Sequence, residues 1–561
     1  MPVDARSSRR VSPVFLRVAL EVGACALALM GFVALKLSYD PPLGDGLDGA
    51  YYYQIARHVA AGHGFVTSVS LYHQGLAQLP QPAMTYPLLP IVIGTVGRFV
   101  GIERAARVLP ELFYWLSLVL AYLWVRRALI VGFPRLRGAA PWLALSVATL
   151  LGLNPVYHWA SSRPYTESLA FSGVLATLMA FGSVRARCFR SAQREAVAFA
   201  AVGLLAGACY FARFQLLPVG AALAVTELAG FDRNRVRRAS SLLAGSVLPV
   251  VPWAARFASM PGATLRGLYD YSSFRQLPEL PAFDFTVPCH GFLGCGLDKL
   301  VGLGVAFAPA GKDSYAAQFG WTAYALPLAA LLALSAPVRR RLGRLRHARY
   351  ATLVASFVVG CVAALPLHLV HSAHWNEWGF GWRQSLPLYF ALVPLLLVLL
   401  AAPVLVRRHG ARARSAAGER RRAARWLPIL VSGLTLVALL EALVMLGRTS
   451  LHLGDDPTHE ARVDGARLAG AYLERVARGE RSLGIEPQPI GAYTDAPLDW
   501  LACWSPPEMA PLLIEKRHVT RVVVYARALR CPSLALVRDR LVLEAELQPH
   551  GGMRVLRVGP P

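Results

Sequence analysis

Long apolar runs, separated by short segments crowded with arginine, recur along the first 446 residues of the chain. Roughly 20 apolar residues cross about 30 Å of hydrocarbon, so such runs predict membrane-spanning helices. They fall at 14–36, 106–125, 139–156, 167–184, 195–212, 214–231, 240–257, 319–337, 350–370, 385–406 and 426–446, and the stretch 195–231 divides least clearly. This pattern predicts an α-helical polytopic membrane protein with about eleven transmembrane helices. From Asp455 onward the pattern changes, with acidic and basic residues interspersed and no further spanning run. Here 459–478 reads as an amphipathic helix, 489–493 as a short strand and 507–516 as a helix, while 521–525, 541–547 and 553–558 read as strands. The division that follows is a membrane module, 1–446, and a small C-terminal α/β domain, 447–561.

Composition agrees with the pattern. Of 561 residues, 55% are hydrophobic and only 16% charged, against about 25% in soluble domains, which excludes a single soluble globule. Lys and Arg number 58 against 33 Asp and Glu, a net charge of +25 that in a polar protein would point to nucleic acid. Here 54 of the 58 are Arg, a skew that reads as codon bias, and nucleic acid is not an expected partner.

The position of the arginines says more than their number. Clusters occur at Arg6, Arg9 and Arg10; at Arg126, Arg127, Arg135 and Arg137; at Arg185, Arg187, Arg190 and Arg194; at Arg233, Arg235, Arg237 and Arg238; and within 339–349 and 407–425. Cytoplasmic loops hold the excess of Lys and Arg, so the clusters predict a cytoplasmic N-terminus and an extracytoplasmic C-terminal domain in the cell's inner membrane. The apolar stretch Tyr86–Gly101 carries two prolines and Arg98, and counting it as a span would put every later cluster outside. It is therefore expected to be an interfacial or re-entrant helix on the outer face. The N-terminal run exceeds a signal-peptide core and lacks a small-residue cleavage site, which predicts a retained span. The substantial outer pieces are then 37–105, 257–318, the short loop 371–384 and everything after about 447. Two cysteine pairs, Cys289 with Cys295 and Cys503 with Cys531, lie in outer segments, where an oxidising compartment permits disulfides.

Polar chemistry concentrates in these outer pieces. The first contains Asp40, Asp45 and Asp48, then Tyr51-Tyr52-Tyr53, Arg57, His58, Gly62, Gly64 and Phe65. An acidic residue just before a helix is first of all a cap, which accounts for one carboxylate but not for three in nine residues beside three tyrosines. A carboxylate held at the interface among aromatic rings is also a candidate general base. A second outer segment runs Asn154-Pro155-Val-Tyr157-His158-Trp-Ala-Ser-Ser-Arg163-Pro164-Tyr165-Thr166-Glu167, and Arg213 stands at the outer turn between the fifth and sixth spans. A third contains His371, His374, Trp375, Glu377, Trp378, Trp382 and Arg383. The tryptophans suit an interfacial belt; His371, His374 and Glu377 have the residue types of a metal site but no recognised spacing.

The succession of a spanning helix, Asp48-Gly49-Ala-Tyr51-Tyr52, Gly62-x-Gly64-Phe65 and Tyr86-Pro-Leu-Leu-Pro90 resembles the first outer loop of GT-C membrane glycosyltransferases. It is closest to glycosyltransferase family 39, which includes the protein O-mannosyltransferases and the lipid A aminoarabinose transferase. The resemblance implies a GT-C-like fold and places the catalytic base on Asp48, with Asp45 as second choice. The interfacial helix would be the second of two juxtamembrane helices. Glu167 stands where the family has an acidic residue at the start of the fourth helix, although a carboxylate there is also favoured by the helix dipole. Arg213 matches a family arginine, with Glu167 or a lipid phosphate as its partner, and Arg383 precedes a Leu-Pro run as in the family's late loop.

The implied reaction moves a sugar from a polyprenyl-phosphate donor to a lipid, glycan or protein acceptor at the surface of the membrane lipids. Asp48 would take the acceptor proton, and Arg213 and Arg383 would stabilise the departing phosphate. Tyr52, Tyr53, Arg163, His371 and His374 are the further expected substrate contacts. No cofactor is expected to be required, although a divalent metal fits the chemistry. Many mannosyltransferase relatives have Asp-Glu where this chain has Asp48-Gly49, which leaves the acceptor open. A multi-pass secondary transporter is the alternative, but no internal repeat is evident and the notable carboxylates lie in outer loops.

Overall fold

The computed structural model describes residues 13–37, 43, 47–70, 79–83, 85–132, 137–138, 140–153, 155–229, 233–259, 355, 359, 457–477, 479–503, 505–547 and 552–560. The predicted spans 319–337, 385–406 and 426–446, nearly all of 350–370, and the loops 260–318 and 371–384 lie outside these residues.

The chain opens with α1 (Pro13–Leu37), α2 (Leu47–Ala60) and α3 (Leu88–Val100), with the short strands β1 (Val66–Thr67), β2 (Val69–Ser70) and β3 (Gln81–Pro82) between α2 and α3. Then come α4 (Ile102–Gly132), α5 (Ala140–Gly152), α6 (Pro155–Ser161), α7 (Glu167–Arg185), α8 (Ala192–Ala212), α9 (Val219–Leu228), α10 (Arg235–Val247) and α11 (Val250–Ala258). Among the described residues, Ile102–Val131, Glu167–Arg185 and Ala192–Ala212 are long and apolar enough to cross a membrane.

The first seven predicted spans are helical over most of their length but differ in extent: the one expected at 139–156 is α5, which ends at Gly152, followed by the separate α6 from Pro155. The span expected at 240–257 is two helices, α10 and α11, separated at Leu248 and Pro249; proline supplies no amide hydrogen and cannot continue the ladder. The span expected at 214–231 begins only at Val219, because Phe214–Leu216 form a 3-10 turn and Pro218 precedes the helix. The segment Tyr86–Gly101 contains α3, whose Phe99 is 84% exposed. On α4 the exposed residues Val108, Leu112, Leu116, Val119 and Leu123 follow helical spacing and form one apolar stripe, while Tyr114, Leu118, Ala121 and Val125 face inward.

Described members of three of the arginine clusters meet at one end of this bundle. Arg126 Nε lies 2.8 Å from Glu21, Arg127 donates to Ser183 at 2.6 Å, and Arg185 pairs with the buried Glu227. Arg238 reaches Glu195 at 2.6 Å, and Arg237 pairs with the same carboxylate. Glu195 lies in the first turn of α8, whereas Arg213 follows its last residue. At 1.5 Å per residue the two ends of α8 stand about 30 Å apart, one hydrocarbon thickness. Arg213 and the clustered arginines therefore occupy opposite ends of the helices.

Where α8 crosses α10, their backbones touch. A Cβ on Gly203 would overlap the Leu242 carbonyl oxygen, one on Gly207 the Ser246 oxygen, and one on Gly245 the Ala200 oxygen. Small residues allow this approach, and between lipid-embedded helices such close packing replaces the hydrophobic drive available in water. Gly245→Leu is expected to force the helices apart and to abolish the monodisperse size-exclusion peak in detergent. Gly23→Leu should leave that peak unchanged, since nothing lies within 4 Å of a Cβ there.

The tail builds α12 (Pro457–Val476), β4 (Ser482–Ile485), α13 (Gln488–Gly491), β5 (Leu498–Leu501), α14 (Met509–Arg517), β6 (Arg521–Tyr525), β7 (Leu541–Glu546) and β8 (Met553–Val558). The sheet has six strands in the order β2-β5-β4-β6-β8-β7, parallel from β2 through β6 and antiparallel beyond. Its edge strand β2 comes from the segment between α2 and α3, with Val69 opposite Leu498 and Ser70 opposite Asp499. Arg517 fastens this edge, donating to Asp499 at 3.0 Å and to Ser70 at 3.3 Å. Arg481 Nε sits 2.7 Å from the other Asp499 oxygen. Burial pushes the Asp499 carboxyl above its ordinary range, with both guanidinium groups acting against the rise.

The strand expected at 489–493 is a correction: Gln488–Gly491 is the helical turn α13. Glu486 turns the chain with φ 50, and two prolines flank the helix start. A Cβ on Gly491 would lie 2.5 Å from Val69, so the chain passes close to β2 as a coil of helix rather than beside it as a strand. The parallel strands β4 and β5 at the centre of this arrangement are buried at every position and so lack the alternation that marks a half-exposed strand. Cys503 and Cys531 form a disulfide with Cα atoms 4.8 Å apart; Cys289 and Cys295 lie outside the described residues.

Candidate active site

Asp48 stands in the first turn of α2, which begins one residue earlier, at Leu47. The capping residue expected before the helix is thus inside it. A carboxylate in a first turn is still favoured by the unpaired N–H groups and the positive end of the helix dipole. Gly49 allows this turn to abut the segment before α7, because its Cβ position is 3.4 Å from Tyr165 and 3.5 Å from Pro164. Asp48 is therefore brought to the turn that leads into Glu167.

Glu167 opens α7, and its side chain is 1% exposed. Arg213, with a side chain 9% exposed, pairs with Glu167 Oε1 and lies 5.8 Å above the Tyr86 ring. The extended backbone at Arg213, where α8 ends and the 3-10 turn begins, aims the guanidinium back across the helix ends. Tyr86 makes an edge contact with Phe214 at 4.9 Å, Phe214 stacks on Tyr210 at 4.8 Å, and Tyr52 lies 6.2 Å from Tyr86. An acid–base pair is thus held within an aromatic wall, where low polarity strengthens electrostatic interaction with an anion.

The three tyrosines of α2 separate, as helical geometry requires. Tyr51 and Tyr52 join the cluster containing Val69, Tyr86, Tyr210 and Phe214, whereas Tyr53 packs with Leu89, Ile93 and Ala105. Burial pushes the Tyr53 hydroxyl up to about 12. Tyr53, expected beside the substrate, is thus turned toward α3 and α4. Arg163 is buried, with its guanidinium 4.5 Å above the Trp159 ring and a 3.2 Å hydrogen bond to the Trp159 carbonyl. Asp45, His371, His374 and Arg383 lie outside the described residues. Tyr86 and Phe214 join the wall without having been singled out by their sequence; Tyr86 stood in the Tyr-Pro-Leu-Leu-Pro run, which was the available signal. Among the described residues, no three His, Cys, Asp or Glu side chains gather as a metal cage.

No family's sequence pattern matches the chain, and no curated protein matches it either. Solved structures do. The oligosaccharyltransferase AglB from Archaeoglobus fulgidus, in complex with an inhibitory peptide and a dolichol-phosphate, aligns over 96% of this chain and 74% of its own, at 13% identity and TM-score 0.55. ArnT from Cupriavidus metallidurans bound to undecaprenyl phosphate aligns over 97% of this chain and 99% of its own, at 15% identity and TM-score 0.53. Both are GT-C glycosyltransferases. The chain has the GT-C fold. A third GT-C neighbour, the Archaeoglobus fulgidus oligosaccharyltransferase in complex with Zn and sulfate, aligns over 95% of this chain and 72% of its own, at 14% identity and TM-score 0.55. In this fold the start of α2, the Arg163–Glu167 turn and the end of α8 converge at the end of the helices opposite the described arginine clusters.

Proposed function

We propose that the chain is an integral-membrane glycosyltransferase that moves a sugar from a polyprenyl-phosphate donor to an acceptor on the extracytoplasmic face. The observation that carries the reading is the meeting of the α2 N-terminus, bearing Asp48, with the turn before Glu167 and its partner Arg213. Asp48 takes the acceptor proton as the acceptor oxygen attacks the anomeric carbon, and the bond to the phosphate oxygen breaks on the opposite face with inversion. Arg213 stabilises the phosphate as it departs, joined in this reading by Arg383. Asp45 is the alternative base, and Tyr52, Arg163, His371 and His374 are the proposed further contacts. The dolichol-phosphate on AglB and the undecaprenyl phosphate on ArnT support a lipid-phosphate donor.

The sidedness belongs to the same reading. Arginine clusters face the cytoplasm with the N-terminus, and the unit 447–561 covers the outer face, where the Cys503–Cys531 disulfide suits an oxidising compartment. Asp48 and Glu167 are hard oxygen donors of the kind that hold a divalent cation, and the neighbour that carries Zn supports testing one; Glu167 already gives an oxygen to Arg213. The deciding experiment incubates the purified protein in lipid nanodiscs with radiolabelled polyprenyl-phosphate sugars and membrane acceptors, with and without EDTA. Label is expected to move to an acceptor. No transfer from any donor, together with solute uptake in proteoliposomes, would replace the transferase reading with a transporter.

A further inference from the structure

The most elaborate contact between the tail and the outer loop lies behind α2, on residues that the proposed chemistry does not use. Four consecutive tail residues, Ala492–Asp495, grip that helix at several points. Arg57 donates to the Ala492 carbonyl at 3.0 Å and reaches Asp495 Oδ1 at 3.3 Å. Gln54 donates to the Thr494 carbonyl at 3.4 Å, while its own carbonyl oxygen accepts from Thr67 at 2.8 Å. His58 Nε2 is 3.7 Å from Asp495 Oδ1 and 3.2 Å from Ser68 Oγ. The Tyr493 hydroxyl donates to the carbonyl of Leu43, which precedes α2. The loop thus holds the chain both before the helix and in its last turns.

The gripping loop is itself fixed from behind. Glu474, on α12, accepts from the Thr494 hydroxyl at 2.8 Å and from the Asp495 amide at 2.5 Å. Gly470, one turn earlier, lets Tyr493 approach so closely that a Cβ there would meet it at 2.9 Å. Strand β2, which follows α2, is pinned into the same sheet beside β5. A helix transmits displacement along its axis, and Asp48 is only about 15 Å from His58 at 1.5 Å per residue. A proton acceptor displaced by about 1 Å can lose about 10²-fold in rate.

We infer that the Glu474-supported loop Ala492–Asp495 is a positioning brace, holding α2 in the placement that presents Asp48 to the acceptor. The tail then acts on the rate of transfer through helix geometry rather than by touching the donor. Glu474 and Tyr493 are positioning residues. This inference rests on the transferase reading for its kinetic form, while the brace itself can be measured without turnover.

The test uses the full-length protein in nanodiscs. Glu474→Ala should lower kcat at least tenfold and leave KM for the labelled polyprenyl-phosphate sugar within twofold. Glu474→Gln keeps an acceptor oxygen for both hydrogen bonds and should restore kcat to within threefold of wild type. Tyr493→Phe removes only the hydroxyl that holds Leu43 and should lower kcat about threefold, which keeps the test open if Glu474→Ala folds poorly. Amide hydrogen exchange over residues 51–58 should rise at least fivefold in Glu474→Ala. Unchanged kcat in Glu474→Ala and Tyr493→Phe, or a loss carried by KM, overturns the brace while leaving the transferase reading intact. If wild type transfers no sugar at all, the transferase reading fails alone, and hydrogen exchange decides the brace: unchanged protection over 51–58 overturns it.

Discussion

Asp48→Asn is expected to remove sugar transfer while leaving the amount of folded protein at the wild-type level. The substitution conserves shape and hydrogen-bonding capacity but removes the ability to take a proton, and general-base catalysis contributes about 10²–10⁴-fold to rate. Its effect on stability should be far smaller. A carboxylate in a first helical turn gains about 0.3–1 kcal/mol from the helix dipole, and the amide retains part of the local hydrogen bonding. A loss of three orders of magnitude in kcat with an unchanged melting temperature therefore assigns a chemical role. Normal turnover in Asp48→Asn would remove the assignment, and the same measurement on Asp45→Asn would then test the second choice.

The second large effect is expected at the Glu167–Arg213 pair, and there the contributions to fold and to chemistry must be separated. Removing one member of a buried ion pair leaves an uncompensated charge and costs about 3–5 kcal/mol. Glu167→Ala and Arg213→Ala should each reduce the yield of folded protein and lower the melting temperature in detergent. The double substitution Glu167→Gln/Arg213→Gln replaces the charges with neutral partners that can still hydrogen-bond, and should recover most of the lost stability. Transfer should stay at least about 10²-fold down, because the cation that stabilises the departing phosphate is gone. Recovery of transfer along with stability would make the pair structural, a strut between the start of α7 and the end of α8.

These expectations rest on residues that differ in how visible they were in the sequence. Asp48, Tyr52, Glu167 and Arg213 stood out because each is a polar or amphipathic group beside a long apolar run, where burial has a high cost and needs a reason. Tyr53 stood out for the same reason, but a rotation of about 100° per residue turns it from the wall that holds Tyr52 into the contact with α3. Tyr86 and Phe214 are ordinary aromatic residues in apolar sequence; their role arises only when α8 ends and the segment before α3 returns over it.

The tail divides in the same way. Strands β6, β7 and β8 were evident, because β-branched runs or alternation mark them locally. Strands β4 and β5 were missed, since four buried residues each, one strand including Gly484 and the other Asp499, carry no period to read. Asp499 is tolerated in a strand because Arg481 and Arg517 arrive from elsewhere in the fold.

What the sequence determined by itself was where helices fall within the described part of 13–259 and the end at which the described arginines gather. Both follow from local composition against a solvent of fixed thickness. Only the tertiary structure decided that Val69 and Ser70 complete a sheet made by residues more than 400 positions later, and that Ala492–Asp495 grips α2. Such contacts leave no periodic trace, because each depends on shape and hydrogen-bond matching between two segments whose separate sequences are unremarkable.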